Sequence, residues 1–163
     1  MLPDLLAPRL KVVFCGTAAG HASARAGHYY AGPGNRFWQI LADTGMTPHR
    51  LRPDEDQLLP GLGLGLTDLA KGVSGMDRDI PATAYAPAAL ARLIAQFAPG
   101  RLAFTSLTAA RIALGSRHAA GRACAPAFPD LPLWVLPSPS GAARGHFSTG
   151  PWHDLAADIR RQA

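Results

Sequence analysis

The sequence predicts an α/β protein, a three-layer α/β/α sandwich around a central, mainly parallel sheet of four to five strands. Three observations point there. Short apolar runs at residues 10–16, 102–105 and 133–136 stop abruptly at loops and read as buried strands. Longer stretches with apolar residues at helical spacing lie between them. Strands alternating with helices imply a sheet covered on both faces. The 163 residues suit one domain, 1–163, long enough to bury a proper core.

The elements follow in order. Residues 10–16 (Leu-Lys-Val-Val-Phe-Cys-Gly) form a strand ended by glycine. Residues 35–45 form a helix, with Asn35 as its N-cap, Phe37, Trp38, Ile40 and Leu41 on its core face, and Gly45 as its stop. Residues 50–65 mix acidic, Pro and Gly residues and predict a loop around a short helix. Residues 64–69 predict a short strand running into an exposed turn, and residues 71–85 a polar surface loop. An Ala-rich helix is predicted over 86–98, a strand over 102–105 and a helix over 107–115. A third clear strand spans 133–136, and a last helix, 152–162, carries Arg160 and Arg161 in its final turn, where cations suit the helix dipole.

Composition narrows the class. Apolar residues make up 48% of the chain, which excludes a disordered segment. The apolar stretches are too short to span a bilayer. Residues 1–6 lack a basic segment followed by an apolar one, so no signal peptide is expected and the chain is read as cytoplasmic. The net charge of +5 favours polyanionic partners such as nucleic acid. Fourteen of the sixteen basic residues are arginines, a bias that genome composition alone can produce; the lysines are Lys11 and Lys71. Cys15 and Cys124 are too few for a four-thiolate site, and the six histidines show no HExxH pattern, so no metal site is expected. Cys15 reads as a small buried residue, and a cytoplasmic setting argues against a disulfide.

Two Gly- and Pro-rich motifs carry the chemistry. The first runs Val12-Val13-Phe14-Cys15-Gly16-Thr17-Ala18-Ala19-Gly20 and continues as His28-Tyr29-Tyr30-Ala31-Gly32-Pro33-Gly34-Asn35-Arg36-Phe37-Trp38. The second runs Leu133-Trp134-Val135-Leu136-Pro137-Ser138-Pro139-Ser140-Gly141-Ala142-Ala143-Arg144-Gly145. Loops beyond the carboxyl ends of strands form the ligand crevice of an open α/β sheet, so these two can meet over one site. Neither contains the GxxxxGK[ST] phosphate loop or the GxSxG nucleophile elbow, which argues against a nucleotide-binding enzyme or an α/β hydrolase.

The two motifs, at this spacing, resemble the mismatch-specific uracil-DNA glycosylase / thymine-DNA glycosylase family of the uracil-DNA glycosylase superfamily. Residues 27–38 match the family's middle segment almost letter for letter, and Ser138-Pro139-Ser140-Gly141 matches its Asn-Pro-Ser-Gly. The similarity is collinear over nearly the whole chain. It implies a monomeric, cofactor-independent, monofunctional glycosylase of base excision repair. Such an enzyme flips a damaged base out of double-stranded DNA, uracil opposite guanine above all, and hydrolyses its N-glycosidic bond. Extruding a base costs roughly a few kcal/mol, least for a mispaired one. Thymine and other damaged pyrimidines are open as further substrates. No lysine stands at the catalytic position, so β-lyase chemistry is not expected.

The chain departs from the family at one decisive place. Ala18 stands where the resemblance puts the asparagine that positions the attacking water. Asp68 is the candidate replacement. A carboxylate stabilises an oxocarbenium-like transition state and can orient and deprotonate water. The competing reading makes Asp68 the N-cap of a helix starting at Leu69. Asp77 and Asp79, in the polar loop, rank behind it. Ala18 also leaves open a second function, a lesion-binding module without catalysis.

The remaining site residues follow from the resemblance. Tyr30 stacks on the flipped base, a contact worth about 1–3 kcal/mol. Gly16, Thr17, Ala18, Gly20, Ser23, Asn35 and Ser138 complete the base pocket. Backbone N–H groups near Thr17 and Tyr30 bind the base carbonyls. His28 and Tyr29 line the pocket or hold its loops, whereas Phe37 and Trp38 are core. Ser140, Gly141, Ala142, Ala143 and Arg144 form the wedge and phosphate contacts, with Arg144 filling more of the gap because Ala142 is small. Ser23 is a further phosphate candidate, and a phosphate contact at His146 is weighed against an idle surface role.

Overall fold

The structure is a computed structural model that describes residues 2–141 and 147–162. Five strands form one sheet: β1 (Val12–Gly16), β2 (Leu64–Asp68), β3 (Leu102–Phe104), β4 (Gly121–Ala123) and β5 (Leu133–Val135). Their order is β2-β1-β3-β5-β4. All pairings are parallel except β4 against β5. The helices are α1 (His21–Ala26), α2 (Phe37–Asp43), α3 (Pro87–Phe97), α4 (Leu107–Leu114) and α5 (Gly150–Arg161).

Alternation along the strands builds two cores. Val12, Phe14, Leu64, Leu66, Ala103 and Trp134 face α2 and α5, packing on Phe37, Trp38, Leu41, Trp152 and Leu155. Val13, Cys15, Leu102, Phe104, Leu133 and Val135 face α3 and α4, against Leu90, Ile94, Ala109 and Ala110. The predicted three layers and mainly parallel sheet are therefore present. Phe14 is fully buried between the ring edge of Phe37, at 5.4 Å, and the stacked ring of Trp152, at 6.0 Å.

Several boundaries differ from the sequence reading for local reasons. β1 begins at Val12, after Lys11, not at residue 10. The second helix spans only Phe37–Asp43, and its backbone N-cap is Arg36, not Asn35. Asn35 lies one residue further out, where its Oδ1 accepts the Phe37 N–H at 3.0 Å, so the side chain still satisfies a donor of the first turn. Gly45, at φ 79°, follows the helix end as expected. Residues 50–65 contain two 3-10 turns, Pro53–Leu58 and Pro60–Leu62. The last helix starts at Gly150, with Pro151 in its first turn, where a missing N–H costs nothing. β4 had no sequence signal: Gly-Arg-Ala is polar and only three residues long, and β5 alone defines it.

Residues 71–85 are more ordered than a free surface loop. They contain two 3-10 turns, Asp77–Asp79 and Ala82–Ala84. The Gly75 N–H bonds to Ala19 O at 2.9 Å, and Ala70 bridges Tyr85. This segment lies along the loop that follows β1. Cys15 is buried and Cys124 exposed, and both are free thiols. Among the described residues no helix is long and apolar enough to cross a membrane.

Candidate active site

The strand order fixes where a ligand can enter. From β1 the chain crosses to β2 on one side, then returns to β3 on the other. Loops leaving the carboxyl ends of β1 and β3 therefore diverge, which opens a crevice between them. A cavity of about 1170 Å³ lies there. Gly16 to Ser23, following β1, form one wall, and Thr105 to Thr108, following β3, form another. Asp68, at the end of β2, and Pro137 to Gly141, following β5, complete the ring with Tyr30, Gly32, Pro33 and Asn35.

The two sequence motifs meet directly. The Arg36 N–H bonds to Pro139 O at 2.8 Å. A Cβ on Gly141 would stand 3.1 Å from Pro33 O, so glycine lets the backbones approach. The second motif is anchored from behind, because Trp152 Nε1 donates to Pro137 O at 3.0 Å. Ser138 Oγ accepts the Ser140 N–H at 3.2 Å and shapes this turn.

Asp68 sits at the floor of the cavity. It does not cap a helix, since none starts at Leu69; the Leu69 N–H instead bonds to Gly16 O at 2.9 Å. β1–β2 pairing puts Gly16 directly opposite Asp68. A Cβ at Gly16 would lie 2.7 Å from Asp68 Oδ1, 3.3 Å from Thr105 Oγ1 and 3.5 Å from Tyr30 Oη. Glycine therefore keeps open the space where three polar groups converge. Part of Asp68 faces the cavity. Burial of its carboxyl group, however, pushes the pKa from 3.8 up to about 7. Lys71 and a backbone hydrogen bond from Gly16 pull the other way, and Asp4 adds to the rise.

Tyr30 spans the crevice. Its ring stacks on Phe37 with centroids 3.9 Å apart, and its hydroxyl meets Thr105 Oγ1 at 3.1 Å. Its backbone is left-handed, at φ 53°, a conformation that costs a non-glycine residue about 1 kcal/mol. Burial and the Asp68 charge both raise the phenol pKa, so it is a neutral hydrogen-bonding group. The same two causes raise the Cys15 thiol behind it.

Other predicted positions take defined places. Thr17 is nearly buried and donates its hydroxyl to Asp77 Oδ1 at 2.6 Å. Ala18 lines the cavity with its methyl group, and Gly20 is the exposed N-cap of α1. Ser23 lines the cavity too, but it is buried and its Oγ accepts the Ala31 N–H at 3.0 Å, holding the loop before Asn35. His28 and Tyr29 hold loops: Asp56 takes His28 Nδ1 at 3.2 Å and the Tyr29 N–H at 3.1 Å. Phe37 and Trp38 are core. Ala142, Ala143, Arg144 and His146 lie outside the described residues.

Sequence reasoning missed several contributors. Thr105 and Ser106 line the cavity immediately after β3, a position the strand end itself marked. Asp77, ranked behind Asp68 from the sequence, does line the cavity; what escaped is its bond from Thr17, a contact over 60 positions that no local pattern announces. Leu2 reaches the cavity from an N-terminal arm, which pairs with the free edge of β2 through Leu5 and Leu66. Among the described residues no three His, Cys, Asp or Glu side chains converge as a metal site.

The fold matches a solution NMR structure from Methanosarcina acetivorans, provisionally assigned as a uracil DNA glycosylase. The TM-score is 0.65 and the identity 20%, covering 98% of this chain and 95% of that one. At that identity the likeness speaks for the fold. The family is settled by the sequence profile of the uracil DNA glycosylase superfamily, which matches residues 3–157 and so takes in every element that walls the cavity. The chain belongs to the uracil DNA glycosylase superfamily.

Proposed function

We propose that the protein is a monofunctional DNA glycosylase that flips uracil from G·U mispairs in double-stranded DNA and hydrolyses its N-glycosidic bond, with Asp68 in the catalytic role. The reading places it near the mismatch-specific branch of its superfamily and takes it to act as a monomer in the cytoplasm, without a cofactor. One observation carries it: a carboxyl group stands at the floor of the cavity where both motifs converge, opposite a glycine that leaves room beside it.

The chemistry then runs as follows. The C1′–N1 bond lengthens, its electron pair moves to the base, and the sugar acquires oxocarbenium character. Ionised Asp68 stabilises that charge. A water oxygen bonds to C1′, Asp68 takes the water's proton, and the departing base is protonated in turn. Tyr30 presents the ring face not covered by Phe37 to the base. Ala18, with its methyl, takes no part in activating water. It is also the observation that favours the second reading, a lesion-binding module without catalysis.

The test is cleavage of a labelled duplex carrying one U opposite G, followed by alkali, for wild type and Asp68→Asn side by side. Cleavage by wild type alone is expected. Equal cleavage by both would remove Asp68 from the mechanism and make Ala18→Asn the informative variant. Binding without cleavage in either would favour the lesion-binding module.

A further inference from the structure

The ammonium of Lys71 is held by a closed set of partners behind Asp68. Its Nζ donates to Asp68 O at 2.7 Å and to Thr67 Oγ1 at 3.1 Å, and lies 2.8 Å from Asp4 Oδ1. Thr67 in turn donates to Asp4 Oδ1 at 2.7 Å. A lysine has three N–H donors, and here three acceptors meet them. The cation is therefore fixed, and it acts on the Asp68 carboxylate through space rather than by a direct bond. An arginine would bring a planar five-donor fork in place of a compact point charge.

Asp4 arrives from outside the sheet. Leu5 and Leu66 exchange backbone bonds at 3.0 and 2.9 Å, which lays the N-terminal arm along the free edge of β2. Tyr29 Oη ties the arm down at Pro3 O. Between Leu2, Asp68, Lys71 and Val73 lies a cavity of about 10 Å³, room for about one water. The arm thus delivers both a wall of the site and a negative charge beside the Lys71 ammonium.

We propose that Lys71 and Asp4 are positioning residues for Asp68, a charge pair that governs how readily the carboxylate ionises. Both charges act on Asp68, with opposite signs: Lys71 favours the ionised form and Asp4 opposes it. Among the described residues, the other titratable groups that feel the Asp68 charge are Cys15 from β1 and Tyr29 and Tyr30 from the loop before α2, all driven toward their neutral forms by burial. The charged pair is therefore the adjustable part of the surroundings.

The proposal builds on the catalytic reading of Asp68 but is tested apart from it. The carboxyl 13C resonance of Asp68 is titrated by NMR in wild type, Lys71→Met and Asp4→Asn, and the single-turnover cleavage rate is followed over the same pH range. The Asp68 midpoint is expected to move up in Lys71→Met and down in Asp4→Asn, each by about 0.5–1 unit. Lys71→Arg, which keeps the charge, is expected to stay nearer wild type than Lys71→Met. Loss of packing alone would not produce shifts of opposite sign, so unmoved midpoints or shifts in one direction would overturn the proposal. If Lys71→Met fails to fold, the downward shift in Asp4→Asn decides by itself. Opposite NMR shifts with an unmoved rate profile would uphold the charge pair while removing Asp68 from the rate-limiting chemistry.

Discussion

At the scale of single residues, Asp68 and Gly16 work as a pair. A carboxyl that titrates near 7 is half ionised at neutral pH, where an ordinary aspartate is almost wholly so. If the ionised form drives cleavage, the single-turnover rate rises with pH and levels off above about 7 to 8. A rate flat from pH 5 to 8 would rule out Asp68 ionisation as the controlling step. The same shift predicts stability. The folded protein binds a proton at Asp68 between pH 3.8 and about 7 that the unfolded chain has released, so stability falls as pH rises through that window. Asp68→Asn removes the penalty, and its unfolding free energy from urea denaturation should exceed that of wild type at pH 8 by roughly 2–4 kcal/mol, with little gain at pH 4. Gly16→Ala makes the complementary prediction. Its methyl would stand 2.7 Å from Asp68 Oδ1, so the carboxylate must move. A displacement of about 1 Å can cost 10²-fold in rate, and single-turnover kinetics on the U·G duplex would read that loss against wild type.

At the scale of elements, the strands were legible because they are apolar runs ended by loops, and the long helices because their apolar faces repeat at helical spacing. Val12–Gly16, Leu64–Asp68 and Pro87–Phe97 lie within one or two residues of their predicted ends. What escaped was set by tertiary contact. Gly-Arg-Ala becomes β4 only because β5 offers it an edge, and residues 71–85 are tied down by Ala19 and Thr17, whose positions in sequence are remote. Legibility of the site divides the same way. The Gly16–Gly20 and Ser138–Gly141 loops could be read from their motifs, whereas Lys71 and Asp4 become neighbours only when the N-terminal arm pairs with β2. Ser106 lies between these cases. Its Oγ accepts the Ala109 N–H at 3.0 Å and caps α4 at the rim of the cavity. Ser106→Ala should cost about 1 kcal/mol of stability by urea denaturation. A loss below 0.3 kcal/mol would mean that water replaces the cap.

At the scale of the molecule, a buried ion pair ties α5 to the amino end of β3, the central strand, at the end of the sheet opposite the site. Arg101, just before β3, donates through Nε to Asp158 Oδ2 at 2.6 Å, and through its other nitrogens to Lys11 O and Asp158 O. Both side chains are almost fully buried. α5 is held further by Arg160, whose Nη1 donates to Thr44 O at 2.9 Å beyond the end of α2. α5 also carries Trp152, which anchors Pro137 in the second motif, so the clamp at the amino ends of the strands is connected to the site at their carboxyl ends. Its pH dependence runs opposite to that of Asp68. The Arg101 hydrogen bond holds the Asp158 carboxyl below its ordinary 3.8, so its stabilisation is complete above that value and fades as pH falls through the lowered folded value. Arg101→Met leaves a buried carboxylate without its main partner and should cost about 3–5 kcal/mol at pH 7. The deficit should shrink below pH 4 in denaturant titrations, because protonated Asp158 needs no cation. A deficit that persisted unchanged at pH 3 would show that Arg101 contributes through packing of its stem and its carbonyl bonds rather than through the ion pair.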